Sequence, residues 1–75
     1  MILAILDRFG YELTTIAETK EQAIKTIMKE YSKAYKAENG TTPGKDYVYE
    51  GTTYYALAKE EISICEINPG EVEWR

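Results

Sequence analysis

The chain has 75 residues, a formal charge of −4, seven tyrosines, one cysteine and no histidine. A chain of this length forms one domain and buries only roughly 60–65% of its unfolded surface, so its stability margin is thin. Missing histidine argues against acid–base or metal chemistry near neutral pH, and the sequence predicts a non-enzymatic protein with no cofactor and no metal.

Residues 2–8 and 11–17 read as a β-hairpin. The first run, Ile2 to Leu6, is almost wholly apolar, as a central strand requires. The second, Tyr11 to Ala17, is richer in threonine and predicts a half-exposed strand. Arg8-Phe9-Gly10 supplies the turn, with Gly10 free to take a positive φ. The N-terminal run is too short for a transmembrane span and lacks the basic flank of a signal peptide. Together with a lone Cys65, which has no intrachain disulfide partner, it predicts a cytoplasmic protein with no membrane contact. The Met1 start reads as that of a small, whole reading frame.

Next comes a helix from Thr19 to about Glu38. Thr19 is an N-cap, and Gln22 three residues on completes a capping box. Ala23, Ile24, Ile27, Met28, Tyr31, Ala34 and Tyr35 recur at three- and four-residue spacing and form one apolar stripe. Asn39-Gly40 ends the helix, with Lys33 and Lys36 near its negative end.

Residues 40–46 read as a loop built on Pro43-Gly44. Their glycine–lysine pair is not a phosphate loop. Gly40 and Gly44 are separated by three residues instead of four, Asp46 stands where a magnesium-binding hydroxyl should be, and a helix precedes the loop. Tyr47 to Glu50 suggests a short strand. Residues 53–61 mix signals: the tyrosine pair favours a strand, whereas Tyr54, Leu57 and Ala58 have helical spacing. The sequence Ala-Leu-Ala-Lys-Glu-Glu tips the reading to a short helix. Ile62 to Ile67 alternates as a strand, in which Cys65 reads as a small hydrophobe. Asn68-Pro69-Gly70 then turns into Val72 and Trp74 as a second hairpin. The predicted fold class is α+β: an antiparallel sheet of N- and C-terminal hairpins, with one long amphipathic helix on one face. So small a core also suits a homodimer.

Charge is segregated. The helix carries five lysines against three glutamates, and the chain from Asp46 onward carries seven acids against two bases. Lys25, Lys29, Lys33 and Lys36 share a helical face. That pattern suits an ordinary solvated face, or else a stripe contacting phosphate. Net acidity opposes the second reading, since the field of the whole chain repels nucleic acid. The carboxylates Glu60, Glu61, Glu66, Glu71 and Glu73 fit no calcium-loop pattern. Asp7 and Glu12 are the remaining acids for catalysis, and nothing marks them out.

The acidic half is also the tyrosine-rich half. Tyrosine gives large contact area at low entropic cost, and carboxylates on a turn or strand can imitate phosphates. The candidate partner-binding residues are therefore Tyr47, Tyr49, Tyr54 and Tyr55, with Asp46, Glu50, Glu60 and Glu61 as phosphate mimics. The alternative is that the tyrosines close one end of the core, with their hydroxyls at its edge.

The hairpin at the Met start, the TKEQAIKTIMKEY helix, the tyrosine-rich segment and the acidic ending EVEWR together resemble small accessory proteins of phages and mobile elements of low-GC bacteria. Inhibitors of host defence, including anti-CRISPR proteins, belong to that group. The resemblance implies an inhibitor in a bacterial host cell that binds a defence nuclease and occupies its basic nucleic-acid groove. It assigns no individual residue. Two other expectations remain: a nucleic-acid-binding accessory protein using the lysine face, and an assembly protein pairing through a sheet edge, Val72 to Trp74 or Tyr11 to Ala17.

Overall fold

A computed structural model describes residues 1–67. Strand β1 (Ile2–Arg8) pairs antiparallel with β2 (Tyr11–Ala17) along their whole length, Ile2 opposite Ala17 and Arg8 opposite Tyr11. The loop between them is just Phe9-Gly10. Both residues have positive φ, 55° and 82°, as a two-residue turn needs to match the strand twist. Gly10 takes this without strain; a bulky phenylalanine there is an outlier.

Helix α1 (Lys20–Asn39) starts and stops where its sequence signals stand. The Thr19 hydroxyl accepts the Gln22 amide at 3.2 Å. Gly40 takes the left-handed conformation and donates its amide to the Lys36 carbonyl at 2.8 Å. Ala23, Ile27, Met28, Tyr31 and Tyr35 are buried along the predicted stripe. After α1, the predicted loop contains a 3₁₀ turn, η1 (Pro43–Lys45), with Pro43 buried. Two short strands follow, β3 (Tyr47–Tyr49) and β4 (Thr52–Thr53). Helix α2 (Tyr54–Glu60) then leads to β5 (Ser63–Glu66).

The main sheet has the order β2-β1-β5 and is antiparallel throughout, so β1 is the central strand its apolar run predicts. The backbones of Met1 and Ile67 close the far end of the β1–β5 pair with two hydrogen bonds. Ala4 and Leu6 point at α1 and are fully buried, with Ile2, Leu13, Ala17 and Ile64 packed beside them. The architecture is the expected α+β pair of layers. The predicted strand at Val72–Trp74 lies outside the described residues. The other suggested pairing strand, Tyr11–Ala17, is an edge of the sheet as described.

Among the described residues, no helix covers the opposite sheet face. Register places Leu3 between Ile16 and Cys65, and Ile5 between Thr14 and Ser63. Ile5 and Ile16 are 38% and 54% exposed. Cys65 is a free, exposed thiol on this face instead of a packed hydrophobe. Among the described residues, no helix is long and apolar enough to cross a membrane.

The two faces should respond differently to substitution. Leu6→Ala opens a cavity under α1 and should cost about 3 kcal/mol, a large share of the stability of so short a chain. Ile16→Thr on the open face should stay within about 0.5 kcal/mol. Urea unfolding of the two variants measures the contrast.

Candidate functional site

The residues between α1 and β5 are shaped by one side chain, Asp46. Its carboxylate accepts the Tyr35 hydroxyl at 2.6 Å, and its carbonyl accepts the Tyr54 amide at 2.9 Å. The first bond ties the segment to α1. The second closes the base of the excursion formed by β3 and β4. Pairing within it runs Tyr47 to Thr53 and Tyr49 to Thr52, with an irregularity between. Glu50 and Gly51 form the tip, Gly51 at φ 82°. The Thr53 hydroxyl accepts the Ala56 amide at 3.2 Å and so caps α2. A hairpin this short is marginal alone; the clamp at its base holds it in place.

Five aromatic rings run beneath the clamp. Tyr11 meets Tyr31 edge-on at 5.3 Å, Tyr31 meets Tyr35 at 5.9 Å, Tyr35 meets Tyr54 at 5.6 Å, and Tyr54 meets Phe9 edge-on at 5.0 Å. The two edge-on pairs have the geometry that the ring quadrupole favours, and the two pairs that Tyr35 makes are tilted. The Arg8 guanidinium lies 4.9 Å from the centre of the Phe9 ring. The ladder thus joins the β1–β2 turn, β2, α1 and α2, and it holds Phe9 in its strained conformation.

The seven tyrosines therefore divide. Tyr11, Tyr31, Tyr35 and Tyr54 build the ladder. Tyr47 and Tyr49 are 65% and 60% exposed on the hairpin, with Val48 exposed between them. Tyr55, exposed at the start of α2, lies in a groove beside α1.

The eight candidate contact residues do not form one surface. Tyr47, Tyr49 and Glu50 stand together on the hairpin. Tyr54 and Asp46 are turned inward, as ring and clamp. Tyr55 belongs to the groove. Glu60 and Glu61 lie exposed at the far end of α2, about 10 Å along the helix from its start.

Three ladder hydroxyls are held in their neutral form. Burial, with the charges of Tyr11 and Tyr54 if ionised, pushes Tyr31 up to about 12. The bond to Asp46 raises Tyr35, aided by burial and the Asp46 charge. Burial, and then the bond and charge of Glu38, raise Tyr11; its hydroxyl donates to Glu38 at 2.8 Å. Tyr31 differs from the other two: its buried hydroxyl has no hydrogen-bond partner among the described residues.

The sequence did not reveal the groove. Ile24, Met28, Ser32 and Tyr55 form its floor and sides, and Lys25, Lys29 and Lys59 its rim. Lys59 lies far along the chain from the helix lysines, so only the packing of α2 on α1 brings the three together. Among the described residues no three metal-ligating side chains gather.

Compared with known proteins, the chain matches no family model, no curated protein and no solved structure.

Two measurements probe the ladder. Tyr31→Phe removes an unpaired buried hydroxyl and should leave stability unchanged or raise it by up to about 1 kcal/mol. Tyr35→Phe strips Asp46 of its donor and should lower the unfolding midpoint clearly. Raised folded values mean that unfolding releases these tyrosines to ionise near their ordinary value of about 10. Stability from this source is fully present below about pH 10 and is lost as pH rises through the folded values. Denaturant unfolding at pH 8 and pH 11 should show that loss, and Tyr35→Phe should make it smaller.

Proposed function

We propose that this chain is a non-enzymatic binding module that docks on another protein through the β3–β4 hairpin. The exposure of Tyr47, Val48 and Tyr49 on a clamped hairpin carries the reading. Large aromatic side chains left in water lower the stability of nothing when removed, yet they supply rigid contact area, and tyrosine is enriched at the centres of interfaces. The hairpin is fixed at its base by Asp46, so little ordering is needed on binding.

Charge supports the class of partner. From Tyr47 to Ala58 the chain has one carboxylate, Glu50 at the hairpin tip, and no cation. An aromatic surface with a carboxylate at its tip suits a basic surface, where complementary potentials guide encounter and orientation. The basic nucleic-acid groove of a bacterial defence nuclease has that character, and the resemblance of the sequence to phage accessory proteins points the same way. In this reading Tyr47 and Tyr49 are the anchors and Glu50 is the phosphate mimic. Glu60 and Glu61, at the far end of α2, stand apart from this surface. The protein acts by occupying the groove, in the cytoplasm of the host cell.

The experiment is recovery of the tagged protein from a bacterial lysate with active defence systems, after nuclease treatment. A stoichiometric nuclease partner is the expected result. Tyr47→Ser with Tyr49→Ser should weaken its capture by at least about tenfold, because anchor residues typically contribute 2 kcal/mol or more. The unfolding midpoint should stay unchanged. Glu50→Lys should slow association and reduce its salt dependence. A partner whose capture ignores all three substitutions would sink the hairpin as the contact element.

A further inference from the structure

The groove between α1 and α2 is a second surface, distinct from the hairpin in place and in charge. Its volume is about 530 Å³, within the range of about 300–1,000 Å³ typical of ligand-binding clefts. Ile24 and Met28 make its floor, and Met28 is only 3% exposed. Tyr55 forms one wall, and Ser32 places a hydroxyl beside it. The cations Lys25 and Lys29 rise from α1 and Lys59 from α2, opposed among the described lining residues by Glu21 alone. Three lysines around one apolar floor, in a chain of net charge −4, are a local reversal of the molecule's field.

We infer that this groove binds an acidic peptide segment of a partner protein, with an apolar or aromatic anchor flanked by carboxylates. Charge complementarity identifies this occupant. The anchor covers Ile24 and Met28; methionine adapts to varied shapes and makes favourable contacts with aromatic rings. The flanking carboxylates meet Lys25, Lys29 and Lys59, and the lining residues Ser32 and Tyr55 carry hydroxyls able to accept or donate hydrogen bonds. An apolar groove between two helices is a known receptor for a peptide that presents spaced anchors.

A nucleic acid fits less well. Single strands are held by several aromatic stacking platforms along a basic track, and among the described residues Tyr55 is the one aromatic side chain lining this groove. Lys33 and Lys36 lie further along α1 and do not line it. The chain's net negative field also disfavours a long polyanion more than a short acidic segment.

The test is selection of a random heptapeptide pool on the immobilised full chain, with a random single-stranded oligonucleotide pool run in parallel. The expected result is enrichment of peptides that pair an aromatic or large aliphatic residue with Asp or Glu. A labelled peptide from that set should bind the Lys25→Glu, Lys29→Glu, Lys59→Glu variant at least about tenfold more weakly, and Lys→Arg at the same positions should keep binding within about threefold. All these side chains are exposed, so an unchanged unfolding midpoint shows that the variant is folded. Tyr47→Ser with Tyr49→Ser should leave peptide binding unchanged, which separates this site from the hairpin. No enrichment, enrichment without acidic residues, or binding indifferent to the lysine reversals would each overturn the inference. Retention of oligonucleotides that displace the peptides would reassign the groove to nucleic acid.

Discussion

The Tyr35–Asp46 hydrogen bond and the ring ladder beneath it are the constraint on which the second half of the molecule depends. Between α1 and Ile62 the chain offers just two large aliphatic side chains, of which Val48 is exposed and Leu57 half-buried. Aliphatic burial alone gives little to hold this segment on the helix. Aromatic rings bury more area each, and Tyr54 brings one to the junction of four elements. Asp46 adds direction to that attraction. One residue bonds α1 through its side chain and α2 through its backbone, and so fixes where the hairpin begins and ends.

The same ladder explains why a phenylalanine stands in a turn that favours asparagine or glycine. Phe9 at φ 55° is intrinsically unfavourable. Its ring, however, ends the ladder against Tyr54 and lies under Arg8. Tertiary packing outweighs local preference at this position, and the first hairpin is thereby tied to α2, a segment more than forty residues distant in sequence. An unpartnered Tyr31 hydroxyl is the ladder's one polar defect among the described residues. Its neighbours, Tyr11 and Tyr35, reach Glu38 and Asp46, because their hydroxyls lie at the edge of the layer.

Much of the fold was legible because it rests on local signals. The two long strands have the predicted bounds, since Gly10 and the apolar run define them. The long helix begins at a threonine cap and stops at a left-handed glycine, each readable by residue type. The candidate site was legible only in part. Tyr47, Tyr49, Tyr54 and Tyr55 look alike as a cluster, yet the helix separates the last two. Neighbours on a helix point about 100° apart, so Tyr54 joins Ala58 towards the core and Tyr55 faces away. The three- and four-residue spacing of Tyr54, Leu57 and Ala58 already carried that sorting. What the sequence could not carry was long-range: the Asp46 partner is on the preceding helix, and Lys59 joins Lys25 and Lys29 only after α2 docks.

Short α2 therefore divides the molecule's surface into two chemically opposite parts. Tyr54 begins it and faces the ladder, fixing its position; the hairpin precedes it with one carboxylate, Glu50, and no cation. Tyr55 and Lys59 face the other way and complete a cationic groove on α1. The side chains that hold the fold are Tyr35, Asp46 and Tyr54, whereas those that meet solvent are Tyr47, Tyr49, Tyr55 and the lysines. A small domain usually risks its stability when a contact residue is changed, because the same side chain serves both needs. Here the tyrosines of the ladder and the exposed tyrosines are different residues, adjacent in sequence at Tyr54 and Tyr55, so the exposed ones can change without disturbing the core.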